Sequence, residues 1–364
     1  MDAVLEKYER GLRKSRVFII TLLISTIVLS FVSICCGSVI FAPSKVVEVL
    51  ANRYFGSTFP GVQYWEDIVI VNGRLPRTAM CILAGVSLGM AGTMMQGVLR
   101  NPLVSPFTLG VSSAATFGAA LAIVYGAGLS FYTVSGTVFG RTVSGATLIT
   151  ALGASALGIM SICLVFALCR RRDVSRSTVI LAGVVIGYLF QAGVTFLKYT
   201  SNDAALRDIT VWTMGGMWNS TWAAVIISLP VVILASLLLW RLALDVDSLT
   251  AGDDIARSTG VDVKRTRTLV LIVSTISVSV CMGFTGVIGF IGLMGPHLSR
   301  MVIGNRTTFL LPASGLFGAS LLLACDTLGR IIMHPGELPA GIIMYLVGGT
   351  FFVYLVLRKN NRVV

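Results

Sequence analysis

One long uncharged segment constrains this chain more than any other feature of its sequence. Residues 17–41 contain no Asp, Glu, Lys or Arg. About 20 apolar residues are enough for a helix to cross the hydrocarbon of a bilayer. Because lipid offers no partners to backbone polar groups, only helices and closed barrels cross it. The apolar runs here are continuous rather than alternating, which excludes a barrel, so the sequence predicts membrane-spanning helices.

Composition extends this prediction to the whole chain. Of the 364 residues 55% are hydrophobic and only 12% are charged, and mean hydropathy is +0.88, whereas soluble domains are about a quarter charged. The predicted fold class is all-α, a polytopic membrane protein of about ten transmembrane helices, with residues 1–364 as a single domain. The predicted spans are 17–41, 75–95, 107–129, 143–169, 178–200, 222–240, 269–282, 286–303, 309–329 and 339–357. The stretch 269–303 is interrupted by glycines, so it reads either as one long helix or as two helices joined by a tight turn.

The net charge is +12, and the Lys and Arg residues that produce it are unevenly distributed among the loops. With ten spans and both termini inside, the cytoplasmic segments hold nineteen Lys and Arg residues and the outer segments hold six. Membrane proteins retain Lys and Arg in cytoplasmic loops, so this bias predicts a cytoplasmic segment 1–16 and a cytoplasmic loop 241–268. Binding to nucleic acid is the weaker explanation of the charge.

Several kinds of chemistry lack their sequence patterns. There is no G-x-x-x-x-G-K-[ST] segment, so the chain is not expected to bind ATP through a P-loop. None of the seven cysteines forms a CxxC pair, which gives no support to a metal site or disulfide framework. Carboxylates are nearly absent from the predicted spans, which argues against a proton-coupled carrier and against an intramembrane enzyme.

Three arginines oppose the charge bias on the outer side, namely Arg74, Arg77 and Arg330. One interpretation is snorkelling toward lipid headgroups. The other is docking of an external partner, since arginine forms bidentate pairs with carboxylates. Asp326 precedes Arg330 by four residues, so an internal pair on one helix face is also expected.

The cytoplasmic loop 241–268 contains the pattern of a short, well-delimited helix. Thr250 with Asp253 resembles a capping box, and Asp253 and Asp254 suit the positive end of a helix dipole. Asp253 and Arg257 have the spacing of an ion pair, and Gly260 is suited to the position after the helix. The sequence predicts about two turns of helix here, either as a solvated connector or as an element that fits a groove on a cytoplasmic protein.

Taken together, these residues resemble the permeases of type II ATP-binding-cassette (ABC) importers for iron-siderophores, haem and cobalamin, the FecCD/BtuC family. The resemblance covers about residues 15–358 and depends on many short segments in the right order. Those segments are Arg74–Arg77, Gly92–Gly97, Asn101–Leu103, Leu109–Ser113, Leu181–Gly183, Trp212–Gly216, Gly252–Gly260, Gly289–Leu293, Pro296–Arg300, Leu311–Pro312, Asp326–Arg330 and Glu337–Gly341. The pair Asp253–Asp254 stands where the family commonly has glutamates.

The resemblance implies an assembly and a place for each candidate residue. It implies a multi-pass permease in a bacterial or archaeal cytoplasmic membrane, two permease subunits as a homodimer, two cytoplasmic ATPase subunits, and an extracytoplasmic binding protein. ATP and Mg²⁺ would sit on the ATPases, with no cofactor or metal on this chain. Arg74, Arg77 and Arg330 would dock the binding protein. Asn101, Leu103, Ser175 and Ser177 would form the cytoplasmic gate. The residues that would couple to the ATPase are Thr250, Gly252, Asp253, Asp254, Ala256, Arg257 and Gly260.

The cargo is left open by the sequence. An iron-siderophore is the first hypothesis, and haem or a corrinoid is the second within the same class. An ion-coupled secondary carrier and a non-transporting scaffold are the alternatives from other classes. Four methionines suit either a path for a bulky ligand or ordinary packing, because methionine adapts its shape; they are Met94, Met95, Met214 and Met217.

Overall fold

The structure, a computed structural model, describes residues 2–56, 59, 61–126, 128, 135–138, 141–169, 176–333 and 336–360. Eight of the described helices are long and apolar enough to cross a membrane, and a shorter apolar helix spans Val111–Gly126. The all-α fold class of the prediction is confirmed. The exception within the described residues is a small antiparallel hairpin, β1 (Ser135–Val138) with β2 (Arg141–Ser144), in a connection between two helices.

Fifteen α-helices follow one another along the described chain. They are α1 (Asp2–Cys35), α2 (Pro43–Phe55), α3 (Tyr64–Asp67), α4 (Leu75–Leu99), α5 (Val111–Gly126), α6 (Gly145–Cys169), α7 (Arg176–Thr200), α8 (Asp203–Met214), α9 (Trp222–Arg241), α10 (Ala243–Ala251), α11 (Asp253–Ser258), α12 (Val263–Thr285), α13 (Ile291–Ile303), α14 (Thr307–Ile332) and α15 (Ala340–Asn360). A π-helical segment, Ile68–Arg74, joins α3 to α4 into one continuous helix.

The two sides of the bundle are named here from the predicted charge distribution. The inner side holds the ends of the helices around residues 100–110 and 242–262. The outer side holds the connections around residues 36–63, 201–221 and 336–339. The described core divides in the same way, with one hydrophobic cluster in the outer half of the bundle and one in the inner half. A third, smaller cluster packs α2 against the end of α1 and the π-helical segment.

Helix α4 is the centre of the bundle, since almost all of its residues from Met80 onward are buried. Glycines allow this crowding. A Cβ on Gly85 would lie 2.5 Å from the backbone of Ala319, and one on Gly92 would lie 1.9 Å from the carbonyl oxygen of Gly292. Small residues let helix backbones approach closely in lipid. Gly85 therefore allows the close packing of α4 against α14.

The stretch 269–303 forms two helices, α12 and α13, separated by five non-helical residues. Gly286 has φ +67°, and a Cβ there would lie 2.3 Å from the carbonyl oxygen of Trp212. Residues 283–289 are buried, so this irregular backbone is surrounded by protein. That is the condition under which non-helical backbone is tolerated inside a membrane. The predicted start at residue 286 was wrong, because the chain is irregular until Ile291.

One other predicted boundary also differs from the structure. The first span ends at Cys35 rather than at residue 41, because arginine side chains bind the last carbonyls of α1, as described below. The connection 201–221, which lies between two predicted spans, contains α8. Asn202 caps α8 by accepting a hydrogen bond from Ala205 N, and Gly215 then turns the chain so that Gly216 N donates to Thr285 O.

Candidate functional site

The outer arginines lie in one buried cluster around Asp326. Arg77 donates through Nε and Nη2 to the Asp326 carboxylate at 2.9–3.2 Å, and through Nη1 to Glu337 Oε2 at 2.7 Å. Arg330 Nε lies 3.2 Å from Asp326 Oδ2. The predicted pair between Asp326 and Arg330 is thus confirmed, but the bidentate pair with Arg77 joins α4 to α14 across 249 positions of sequence.

Arg74 and Arg330 hold the end of α1. Arg74 Nη1 donates to Ile34 O at 2.6 Å and to Cys35 O at 2.9 Å. Arg330 Nη1 donates to Cys36 O at 2.7 Å, and its Nη2 donates to the hydroxyl of Ser33 at 2.7 Å. The last carbonyls of a helix lack partners within the helix and carry partial negative charge. Two guanidinium groups therefore terminate α1 and fix it to α4 and α14.

The three arginines differ in what they offer an external partner. Arg74 and Arg330 are 5% and 3% exposed, and the described contacts of their guanidinium groups point into the protein. Arg77 and Glu337 are the more accessible pair of the cluster, with side chains 14% and 27% exposed. The three arginines carry one positive charge more than Asp326 and Glu337 neutralise. The docking function of this cluster stays a prediction, and the geometry favours Arg77 as its contact residue.

The short inner helix exists as predicted, but it begins differently. Thr250 is not its cap: it lies near the end of α10 and donates its hydroxyl to Asp247 O at 2.7 Å. Gly252, with φ +154°, is the cap residue, and it makes no side-chain cap bond. A residue with a side chain rarely adopts this backbone conformation, so glycine is what allows α11 to turn directly out of α10. The predicted capping box was therefore wrong.

The end of α11 agrees with the prediction. Gly260 has φ +83°, Gly260 N donates to Arg257 O at 3.0 Å, and Val261 N donates to Ala256 O at 2.9 Å. This pair of hydrogen bonds is a Schellman motif. The side chain of Ala256 is buried in the inner core cluster, so the helix is closed at its end and anchored by its middle.

Asp253 is fixed by two arginines from other helices. Arg176 Nη2 lies 2.7 Å from its Oδ1, and Arg267 Nη2 lies 3.2 Å from its Oδ2. Arg267 also donates to Val98 O at the inner end of α4. The predicted pair of Asp253 with Arg257 was wrong, because Arg257 lies 3.7 Å from Asp254 instead. Partial burial raises the pKa of Asp253, but the hydrogen bonds and charges of Arg267 and Arg176 outweigh it and hold that pKa below its usual value.

These contacts leave one side of α11 free. Ile255 is 52% exposed and the side chain of Asp254 is fully exposed. The other side is tied through Asp253 to α7 and α12, and through Arg267 to α4. A force applied to the exposed side would therefore be transmitted to three helices of the bundle.

The gate candidates lie on neighbouring segments of the inner side. Asn101 accepts a hydrogen bond from Leu103 N at 2.9 Å, which closes a turn after α4 and leaves the Leu103 side chain exposed. Ser177 is exposed in the first turn of α7, and Ser175 lies outside the described residues. Helix α7 packs against the end of the turn, since a Cβ on Gly183 would lie 2.7 Å from Leu109 Cα.

The four methionines do not form one surface. Met94 and Met95 are fully buried in the inner core cluster. Met217 is buried in the outer cluster, and its sulfur accepts a hydrogen bond from the hydroxyl of Ser220 at 3.6 Å. Met214 is partly exposed at the end of α8. For the first three, packing is the observed role in this single subunit.

Sequence reasoning missed a cavity of about 350 Å³ on the outer side, near the end of α12. Its lining includes Asp208, Trp212, Trp218 and Phe284. The indole N–H of Trp212 has no hydrogen-bond partner among the described residues. Both Asp208 and Trp212 belong to α8, which the sequence analysis did not predict. They are four residues apart on this helix, so both side chains line the cavity.

Comparison with known sequences assigns the chain. The sequence profile of the FecCD transport family matches residues 23–358. The chain belongs to the FecCD transport family. A relative from Methanocaldococcus jannaschii, described as an ABC transporter permease protein, is 36% identical and is aligned over 98% of this chain and 99% of that one. The hemin transport system permease HmuU of Yersinia pestis is 34% identical over 86% of this chain and 90% of that one.

Other FecCD relatives carry different names. The Fe(3+)-citrate import system permease YfmE of Bacillus subtilis is 31% identical over 96% of this chain and 98% of that one. Among solved structures, one described as a metal-chelate type ABC transporter in an inward-facing conformation matches with a TM-score of 0.76. It is 29% identical and covers 93% of this chain and 98% of that one. The chain thus has the fold of a type II ABC importer permease and is a multi-span transport subunit.

Proposed function

We propose that this chain is the permease of an ABC importer for a metal chelate, and that the chelate is a ferric siderophore. In the proposed assembly two copies of the chain surround one path, two ATPase subunits bind the inner side, and a binding protein delivers the chelate from outside. The iron assignment is supported by the name of the Bacillus subtilis relative, an Fe(3+)-citrate permease aligned over nearly the full length of both chains.

The observation that carries the proposal is the way α11 is held. A six-residue helix would not persist alone in water, but Asp253, Ala256 and the terminal Schellman motif fix this one to the bundle. Its exposed face, with Ile255 and Asp254, is presented on the inner side. A rigid, partly apolar protrusion tied to three helices is suited to receive motion from a separate ATPase. Binding of ATP by that partner would then shift the bundle between two arrangements.

We further propose that the arginine cluster marks the docking face for the binding protein. Arg77 would meet a carboxylate of that protein, in place of or alongside Glu337. Arg74 and Arg330 would contribute indirectly: they would hold α1 against α4 and α14 and so keep the docking face in place.

Haem or a corrinoid is the second candidate cargo. It is favoured by the similar identity of HmuU, and of a cobalamin import permease, BtuC, from Halobacterium salinarum, which is 35% identical over 83% of this chain. An ion-coupled carrier is disfavoured, because the buried carboxylate of Asp326 is paired with two arginines.

Reconstitution separates these candidates. The chain is placed in proteoliposomes with its ATPase and its binding protein, and uptake of a ferric siderophore, haem and cobalamin is measured with and without internal ATP. We expect ATP-dependent uptake of the ferric siderophore at the highest rate. Faster uptake of haem or cobalamin would make that compound the assigned cargo in place of the ferric siderophore. Uptake driven by an ion gradient without ATP would refute the assignment as an ABC importer.

A further inference from the structure

A polar cavity of about 430 Å³ opens on the inner side, between the ends of α4, α10 and α13 and the start of α14. It reaches from Arg100, which follows α4, up to Thr93, two helical turns deeper along α4. Its lining is mostly polar and includes Gln96, Asn305 and the guanidinium-bearing residues Arg100 and Arg300. No Asp or Glu occurs among the described residues that line it. The cavity is therefore positively charged and lies next to α10, from which α11 emerges.

Arg300 is the residue that makes this cavity unusual. It is half-buried in the last turn of α13. Its described side-chain partner is a neutral one, Gln96 Oε1 at 3.1 Å, and Gln96 is itself fixed through Nε2 to Gly292 O. A guanidinium has five N–H donors, and a charge at this depth is costly unless it is paired. Within the described part of the chain, neither Arg300 nor Arg100 forms an ion pair.

The helix ends around the cavity have both signs: the last carbonyls of α4, α10 and α13 carry partial negative charge, and the start of α14 carries partial positive charge. The formal positive charge of the cavity therefore comes from its two arginines. Thr307 begins α14 at the cavity wall, so the positive end of that helix dipole faces this region. The carboxylate of Asp247 lies close by, but it accepts a hydrogen bond from Thr307 N at 2.8 Å and is not among the lining residues. The cavity thus combines two unpaired guanidinium groups, amide and hydroxyl groups, and a helix start.

We propose that this cavity is a binding site for a phosphate oxyanion, held by Arg300 in the interior and Arg100 at the rim. Guanidinium groups make bidentate bonds to phosphate oxygens. The phosphate can belong to a phospholipid headgroup of the cytoplasmic leaflet, since basic pockets between membrane helices bind such headgroups, or it can be free in the cytoplasm. Both sources share the same recognition chemistry, and the experiment has one arm for each.

The test uses the purified full-length chain in nanodiscs. In the first arm the chain is transferred from the nanodiscs into a maltoside detergent, which carries no phosphate. Inorganic phosphate is then titrated while the unfolding temperature is followed, with chloride at equal ionic strength as the salt control. In the second arm the chain is taken from nanodiscs containing phosphatidylglycerol, and retained lipids are counted by native mass spectrometry. Binding of phosphate supports a free ligand, and retention of phosphatidylglycerol supports a headgroup.

Variants connect either result to the cavity. Arg300→Gln and Arg100→Asn are each expected to weaken binding by about tenfold or more, the loss that accompanies one hydrogen bond to a charged group. Asparagine is chosen at position 100 because this residue has φ +48°, which asparagine tolerates. Arg265→Gln, which removes an exposed arginine of the same inner side, is the matched control and should leave binding unchanged.

Arg300→Lys distinguishes loss of the charge from loss of the fold. It keeps a positive charge in the interior, so it should retain part of the binding that Arg300→Gln loses. The proposal is overturned if neither phosphate nor phosphatidylglycerol binds the wild-type chain. It is equally overturned if Arg300→Gln and Arg100→Asn bind as the wild type does. A third outcome would also overturn the proposal. If the wild-type chain binds neither phosphate nor lipid but the variants lose association with the ATPase, the cavity binds a carboxylate of a protein partner instead.

Discussion

At the scale of single residues, Asp326 is the charge on which the outer end of the bundle depends. It is 1% exposed, and its two oxygens are shared between Arg77 of α4 and Arg330 of α14. Arg330 in turn holds carbonyls at the end of α1. One buried carboxylate therefore keeps two guanidinium groups in place, and through them three helices.

We expect Asp326→Asn to lower the free energy of unfolding by about 3–5 kcal/mol, because it leaves two buried guanidinium groups without their carboxylate. Denaturant titration of the detergent-solubilised chain measures this. Glu337→Gln is the control, since the Glu337 side chain is 27% exposed, against 1% for Asp326, and solvent screening should limit its contribution to about 1 kcal/mol. Equal small losses in the two variants would show that Asp326 has no special role.

The docking prediction also belongs to single residues. Arg77→Gln is expected to weaken capture of the binding protein by about tenfold or more, because a charge-assisted contact to a carboxylate is lost. Surface plasmon resonance with immobilised nanodiscs measures this, and the unfolding temperature confirms that the variant is folded. Arg53→Gln, an exposed arginine on α2 of the same side, is the control. Unchanged capture by Arg77→Gln would remove the arginine cluster from the docking face.

At the scale of elements, the contact between α4 and α13 depends on the absence of side chains. The backbone of Gly292 occupies the place where a Cβ of Gly92 would be. Helix α13 starts inside the bundle, after an irregular segment that is packed against α15: a Cβ on Gly289 would lie 2.7 Å from the ring of Tyr345. The glycines at positions 289 and 292 therefore permit the close packing that surrounds the start of α13.

Gly92→Ala should force α4 and α13 apart and lower the free energy of unfolding by about 1–3 kcal/mol or more. Gly349→Ala is the matched control, because it also adds one methyl to a helix but has nothing within 4 Å of the new Cβ. That control should be neutral or slightly stabilising. Thermal unfolding in detergent compares the two, and a neutral Gly92→Ala would contradict the packing described here.

Helix α11 is the element through which the proposed coupling acts. We expect Asp253→Asn to lower uptake per ATP hydrolysed, since it loosens the connection to Arg176 and Arg267. Lys264→Gln removes an exposed charge from α12 on the same inner side and should have little effect. Equal coupling in both variants would separate α11 from energy transfer.

The pH dependence of this connection has a definite sign. Pairing lowers the pKa of Asp253, so its stabilising contribution is complete above the pKa of the unfolded chain. The contribution is lost only as pH falls through the lower folded value. Uptake measured near neutral pH should therefore not titrate through this carboxylate.

At the scale of the whole molecule, the described bundle connects two faces by rigid parts. The arginine cluster holds α1, α4 and α14 at the outer side, and Asp253 and Arg267 connect α7, α12 and α4 to α11 at the inner side. Helix α4 participates in both and runs through the centre. A partner that acts on either face would therefore act on the same central helix.

The sequence alone determined the all-α membrane class of the fold and the sites where charge opposes lipid. These are local properties: a run of apolar residues, the spacing of Asp326 and Arg330, and Gly260 after a short helix depend only on neighbours along the chain. Tertiary structure alone decided that Arg77 pairs with Asp326, that Asp253 pairs with Arg176 and Arg267 rather than Arg257, and that α13 begins inside the bundle. Those outcomes depend on which helices pack against one another. Contacts between residues distant in sequence produce no periodic pattern that could be recognised in a single sequence.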